Sequence, residues 1–194
     1  MGSGFAVELD EVTVARARRG DLAALETLFR AFERPVYNLG RRMLGDGHDA
    51  EDVLQETFVE VVRSVKSFRG DAPLGAWVRK VAASKALMRL RRDRSRPGEE
   101  VLDDFVEAGE DGGHTPASLA AVPERVDLEK ALAELPDTAR MVVWLHDVEG
   151  YTHEEIAAMA GRTASFSKSQ LARAHLRLRE RLAPGGESKP CTRS

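Results

Sequence analysis

THEEIAAMAGRTASFSKSQLARAHLRLRERL, residues 152–182, is the stretch whose reading decides the fold. Thr152 and Glu155 are spaced as a capping box, in which the threonine oxygen takes a first-turn N–H and the glutamate reaches back. Ile156 and Met159 supply one apolar face, and Gly161 marks a turn. A second helix is predicted from about Ser165 to Leu182, with Leu171, Ala174, Leu178 and Leu182 inward. Lys168, Arg173, Arg177, Arg179 and Arg181 fall on its remaining surface. Short helix, glycine turn and basic helix together predict a helix-turn-helix, whose second helix enters a DNA groove by its N-terminal part. Lys168, Ser169, Gln170 and Arg173 lie in that part.

Upstream, Val126, Leu128, Ala131, Leu132 and Leu135 predict a helix ended by Pro136. Asp137 is then placed to cap a helix carrying Met141, Val142, Val143 and Leu145, broken by Gly150. The first half of the chain is also helical by pattern. Leu22, Leu25, Phe29, Phe32, Val36, Leu39 and Met43 recur at helical steps behind an Asp21 cap, with Pro35 predicting a kink or break. Asp49 is the expected cap of a helix with Val53, Leu54, Phe58, Val61, Val62 and Val65 on one side. Glu51, Asp52, Gln55 and Glu56 lie on the other, where the helix dipole favours acids. A third helix from about Leu74 to Arg92 turns Leu74, Trp77, Val78, Val81 and Leu87 inward. No strand pattern appears, so the expected class is all-α.

The formal net charge of −3 hides a sharp local contrast. Residues 79–96 carry eight cations against one acid, and residues 97–123 carry seven acids and no cation. The acidic run also holds Gly98, Gly109, Gly112, Gly113 and Pro116, too little apolar surface to offset its ordering entropy. It is expected to be a flexible linker that folds back to screen the basic helix. The expected division is a helical domain at 1–96, the linker at 97–123, a helix-turn-helix domain at 124–183 and a disordered tail at 184–194. A basic helix face gains on DNA by releasing condensed counterions, and Trp77 adds a ring on which an unstacked base could rest.

Other classes fare poorly. No apolar run approaches the ~20 residues of a membrane span, and the first residues lack the pattern of a secretory leader. The lone Cys191 excludes a disulfide framework, so a reducing cytoplasm is expected. His146, Asp147, His153 and Glu154 do not complete a zincin motif, because Ala157 stands where its second histidine would be. No catalytic motif, metal site or cofactor is expected.

With these residues in view, the chain resembles the extracytoplasmic-function (ECF) sigma factors, from roughly Leu9 to Leu182. ARARRGDLAALETLF (15–29) and DGHDAEDVLQETF (46–58) are similar to the start of sigma region two, and FRGDAPLGAWVRKVA (68–82) to its promoter-melting segment. ALAELPDTARMVVWLHDVEGYTHEEIAAMAG (131–161) resembles the start of region four, and KSQLARAHLRLRERL (168–182) its recognition helix. The resemblance implies that Asp49, Asp52, Gln55 and Glu56 meet the β′ clamp helices of core RNA polymerase. It gives Phe68, Arg69, Trp77, Arg79 and Lys80 to capture and opening of the minus-ten promoter element. Ser84, Lys85 and Met88 continue that surface, and Arg89, Arg91 and Arg92 hold the DNA backbone. Lys168, Ser169, Gln170, Arg173 and Arg177 face the minus-thirty-five element, and region four meets the polymerase β flap. An anti-sigma factor is a further candidate partner.

Ser84 and Met88 stand where such proteins often carry Asn and Asp. Arg162 and Ser167 replace apolar residues of the helix-turn-helix, with Phe166 expected to fill the core instead. An unusual promoter specificity is therefore expected. Two other functions fit the same residues: a sigma-like interaction module without promoter function, and a stand-alone helix-turn-helix regulator, which core polymerase binding would separate.

Overall fold

The structure is a computed structural model that describes residues 4–94 and 125–183. The linker and tail expected at 97–123 and 184–194 lie outside the described residues. Everything regular among the described residues is helix. Helix α1 (Glu11–Arg18) is capped by Asp10, which accepts from Thr13 N at 2.8 Å. Helix α2 (Leu22–Leu44) starts at the expected cap, Asp21 accepting from Ala24 N at 3.0 Å. It continues through Pro35 to Leu44, so the expected break does not occur.

The buried side of α2 is Ala24, Leu28, Phe32, Val36, Leu39 and Met43. Leu22 and Phe29, expected inward, are exposed, because the four-residue step set by Leu28 and Phe32 leaves them on the flanks. Phe29 instead meets Phe58 edge-on at 4.7 Å between ring centroids. Helix α3 (Gly47–Ser64) is capped by Asp46, which accepts from His48 N and Asp49 N at 2.8 and 3.0 Å. Asp49 therefore sits inside the first turn rather than at the cap. Val62 points outward, three residues beyond the exposed Val59 on the same side. Helix α4 (Leu74–Arg94) follows the loop at 68–73, with Leu74, Val78 and Leu87 buried as expected.

In the second half, α5 (Arg125–Ala133) and α6 (Asp137–Val143) meet at Pro136. Pro136 occupies the cap position of α6 without a side-chain bond, which corrects the expectation for Asp137, and Asp137 pairs with Arg140 instead. A π turn at Trp144–Val148 extends α6. Helix α7 (His153–Ala160) carries the complete Thr152–Glu155 capping box, and Gly161 ends it in the left-handed region at φ +61°. Helix α8 (Ala164–Leu182) is capped by Thr163.

Buried apolar residues of the two halves form one continuous cluster, from Phe5 and Phe32 through Met43 to Val142, Leu145 and Ala174. Residues 4–9 lie across the first half, where Phe5 is buried beside Phe32. The Phe5 carbonyl occupies the space that a Cβ at Gly75 would need. Gly75→Ala should therefore cost about 1–3 kcal/mol through overpacking against backbone. Urea unfolding measures the loss, and faster proteolysis within residues 4–9 would show the segment displaced.

Candidate nucleic-acid interface

Helix α4 presents its charges on three separate edges. On the edge against α3, Arg89 bridges two carboxylates, with Nη2 2.5 Å from Asp49 Oδ1 and Nη1 2.9 Å from Asp52 Oδ2. Arg92 pairs with Glu56 at 3.1 Å and Lys85 with Glu60 at 3.5 Å. All three acids assigned to polymerase, Asp49, Asp52 and Glu56, thus hold cations assigned to DNA. The outer stripe of α3 that remains is Asp52, Gln55, Val59 and Val62, spaced three and four residues apart on one face. Val59 and Val62 are about half exposed, 50% and 52%; the sequence reading turned Val62 inward with the core stripe and left Val59 unassigned.

The second edge carries Lys80, Ser84 and Met88, all exposed at four-residue steps. Beside it, Trp77 is half-buried and tilted against Phe68, with centroids 5.4 Å apart. Arg69 is exposed in the adjoining loop and pairs with Asp71 at 3.0 Å. An open groove of about 640 Å³ runs between this loop and α1, lined by Val14, Arg18, Phe68 and Pro73 among others. These residues form a surface with cations at its rim and an aromatic pair at one end. The third edge turns toward the second half. There Arg79 donates to the Glu149 carbonyl at 2.6 Å and Arg91 to the Met159 carbonyl at 2.8 Å.

In the helix-turn-helix, Lys168 and Arg177 are exposed, while Ser169, Gln170 and Arg173 are half-buried. Ser169 donates to the Phe166 carbonyl at 2.9 Å, and Arg173 lies back along α8 onto the Ser169 carbonyl at 3.3 Å. Phe166 does not fill the core. It is half-buried, with the Arg162 guanidinium 5.6 Å from its ring centroid. The buried residue is Ser167, whose hydroxyl lies 3.0 Å from His153 Nδ1 at the start of α7. A hydrogen bond between the two helices thus replaces an apolar contact, and this explains how a serine is accommodated there. The pairing spans fourteen residues, and only the unusual serine hinted at it.

His153 belongs to a small cluster. Its ring stacks on His146 at 4.4 Å, and Asp147 takes His146 Nδ1 at 2.9 Å and His175 Nε2 at 2.6 Å. Partial burial, then the neighbouring His146 and Lys168, hold the His153 pKa below its usual value. Among the described residues no group of three His, Cys, Asp or Glu side chains could hold a metal ion. No helix there is long and apolar enough to cross a membrane.

Residues 28–96 match the family model for sigma-70 region 2, and residues 125–178 the model for sigma-70 region 4. The chain is 31% identical over 159 residues to the ECF RNA polymerase sigma factor SigM of Mycobacterium tuberculosis, covering 82% of this chain and 77% of that one. It is 30% identical over 182 residues to the ECF RNA polymerase sigma-E factor of Escherichia coli, covering 90% and 95%. In fold it is similar to the sigma factor RpoE solved with the anti-sigma factor NepR from Bartonella quintana, with TM-score 0.53, 24% identity, and 82% and 97% of the two chains covered. A region 2 bundle followed by a region 4 helix-turn-helix defines a two-domain sigma factor. The chain belongs to the ECF RNA polymerase sigma factors.

The His153 geometry has a measurable consequence. A lowered folded pKa means that the fold favours the neutral ring, so the stabilisation is present above about pH 6.5 and lost as pH falls through the folded value. The cap carboxylates Asp10, Asp21 and Asp46 are also lowered, chiefly by hydrogen bonding, so their contribution is lost only below about pH 4. Urea unfolding between pH 7 and 5 should show stability falling with pH, and His153→Gln should flatten that slope. An equal slope in the variant would remove His153 as its source.

Proposed function

We propose that this chain is the promoter-specificity subunit of a bacterial RNA polymerase, docking on the core enzyme through α3 and on promoter DNA through α4 and α8. The observation that carries this reading is the division of one domain into two chemically opposite stripes. Asp52, Gln55, Val59 and Val62 offer acid, amide and apolar surface to a basic protein helix pair, which fits the β′ clamp helices. Asp49 and Glu56 flank that stripe and hold Arg89 and Arg92, so these two arginines act first as struts that set the α3–α4 geometry. Lys80, Ser84 and Met88, with Phe68, Arg69 and Trp77, face the minus-ten element. Cations there hold phosphates without reading sequence, and the aromatic pair accepts a base released from the duplex. Lys85, Arg79 and Arg91 extend the positive field around that stripe.

Region 4 supplies the second contact. Lys168 and Arg177 reach the minus-thirty-five duplex directly from α8. Ser169, Gln170 and Arg173 meet base edges once the N-terminal part of α8 enters the major groove. Region 4 also meets the β flap. The protein contributes no reacting group; polymerase performs the chemistry. An anti-sigma protein is a further partner of the same α3 surface.

Run-off transcription with purified bacterial core polymerase across genomic DNA tests this reading. Discrete start sites sharing two spaced upstream elements are expected. Stable core binding without discrete starts would instead favour an interaction module, and no core binding a plain helix-turn-helix regulator. Val62→Glu should weaken core binding about tenfold with little change in stability, by fluorescence anisotropy against core polymerase. Lys168→Ala should weaken binding to all promoters by a similar factor and reduce the salt slope by about one, as expected for a lost phosphate contact.

A further inference from the structure

We infer that residues 4–9 form a strap that positions the promoter-opening end of α4, with Phe5 and Gly75 as its two positioning residues. The inference rests on the promoter-binding reading and adds an element that belongs to neither DNA surface named above. The strap is pinned at two points. Phe5 is 6% exposed, and its ring lies nearly parallel to Phe32 of α2, at 16° with centroids 6.3 Å apart. Leu9 packs on the same core four residues later, while Ala6, Val7 and Glu8 between them are exposed. Gly4 passes over Pro35, so closely that a Cβ on it would lie 3.4 Å from Pro35 Cγ.

The strap meets α4 at its first turn. A Cβ at Gly75 would collide with the Phe5 carbonyl and lie 3.2 Å from Phe32 Cε1, so the turn is held between strap backbone and an α2 ring. Glycine has the greatest backbone freedom and by itself leaves a helix end loose. Here its missing side chain admits the strap, and the strap supplies the confinement. Trp77 stands two residues further along, beside Phe68. The N–H groups of Ala76 and Trp77 both donate to the Pro73 carbonyl, at 3.0 and 3.2 Å, which ties this turn to the loop at 68–73. Helix α1 follows the strap and lines the groove against that loop through Val14 and Arg18. One continuous segment thus borders the opening loop at its end and along its flank.

Opening a promoter requires the aromatic pair to stand where a base leaves the duplex. When the first turn of α4 spends only a fraction of its time in that position, the apparent affinity for the released base falls by the same fraction. The strap raises that fraction without touching DNA. Docking on core polymerase through α3 and duplex binding through α8 do not depend on it. A promoter already unpaired at the minus-ten element is spared the opening cost, so it tolerates the loss.

The test uses full-chain variants assembled with bacterial core polymerase on a promoter found by run-off transcription. Permanganate reactivity of unpaired thymines measures opening, on the intact duplex and on the same promoter carrying a mismatched minus-ten bubble. Phe5→Ala should open the duplex about tenfold less than wild type, a modest loss for a misplaced binding group, yet match it on the bubble. Its core affinity by fluorescence anisotropy should stay within about twofold of wild type, as for an independent site. Gly75→Ala displaces the strap from the other side and should give the same pattern, whereas Phe5→Leu keeps most of the buried side chain and should restore opening. If circular dichroism shows that Phe5→Ala unfolds, Gly75→Ala carries the test. Folded variants that open the duplex as wild type does, or that lose as much on the bubble, would overturn the strap's role alone. A wild type that binds core and opens no promoter would overturn the promoter reading, and the strap's role with it.

Discussion

The buried guanidinium of Arg140 is the constraint on which the arrangement of the two sigma regions depends. A helix ends with carbonyls that its own backbone cannot satisfy, and the end of α2 carries the negative pole of its dipole. Arg140 meets both needs at once through the Met43 and Leu44 carbonyls, and it also gathers the Ala133 and Leu135 carbonyls and the Asp137 carboxylate, the last at 2.5 Å. A buried cation is costly unless its hydrogen bonds are made. Here the acceptors come from both regions, so the charge is compensated fully only when they are together. The continuous apolar cluster around Met43, Leu44, Leu135 and Val142 then lies where water would otherwise reach.

The same economy governs α4. Its charge run reads as one basic surface, yet the helix divides it by angle. Residues three or four apart share a face, so cations adjacent in the run meet different neighbours. Lys85, Arg89 and Arg92 lie against the acids of α3, Arg79 and Arg91 against region 4, and Lys80 toward solvent. Arg89 has the strongest structural duty. It is only about a quarter exposed and spans two carboxylates one helical turn apart, which fixes α3 against α4 in register. Whatever approaches Asp52 therefore meets a carboxylate already oriented by Arg89, and α3 is mechanically joined to α4.

Much of this was legible in the sequence, because local chemistry writes local structure. The Asp21 cap, the Thr152–Glu155 box and the Gly161 stop each act within one turn, and each stands where its residues predicted. Choices between near neighbours were less so. Asp46 and Asp49 both offer a carboxylate, and Asp46 caps because the chain becomes helical at Gly47, leaving Asp49 for Arg89. Asp137 lost the cap to Pro136 and was drawn instead to Arg140 three residues on. The face of α2 shifted because the stripe through Leu22 and Phe29 competes with the one through Ala24 and Leu28, and packing on α3 and α4 decides between them. Least legible were contacts whose acceptors are backbone carbonyls, since every residue has one. Nothing in the side chains of Met43, Leu44 or Met159 announces that an arginine will find them.

Ser167 shows how such a silent contact joins two helices. An apolar residue at that place would tie α7 to α8 by packing alone, insensitive to pH and tolerant of small rotations. A hydroxyl 3.0 Å from His153 Nδ1 is directional instead, and it ties the start of α7 to the first turn of α8. Lys168 and Arg177 lie on the exposed side of the same helix. The cluster then extends through the stacked His146 ring to Asp147 and back to His175 on α8, linking the turn to the middle of that helix.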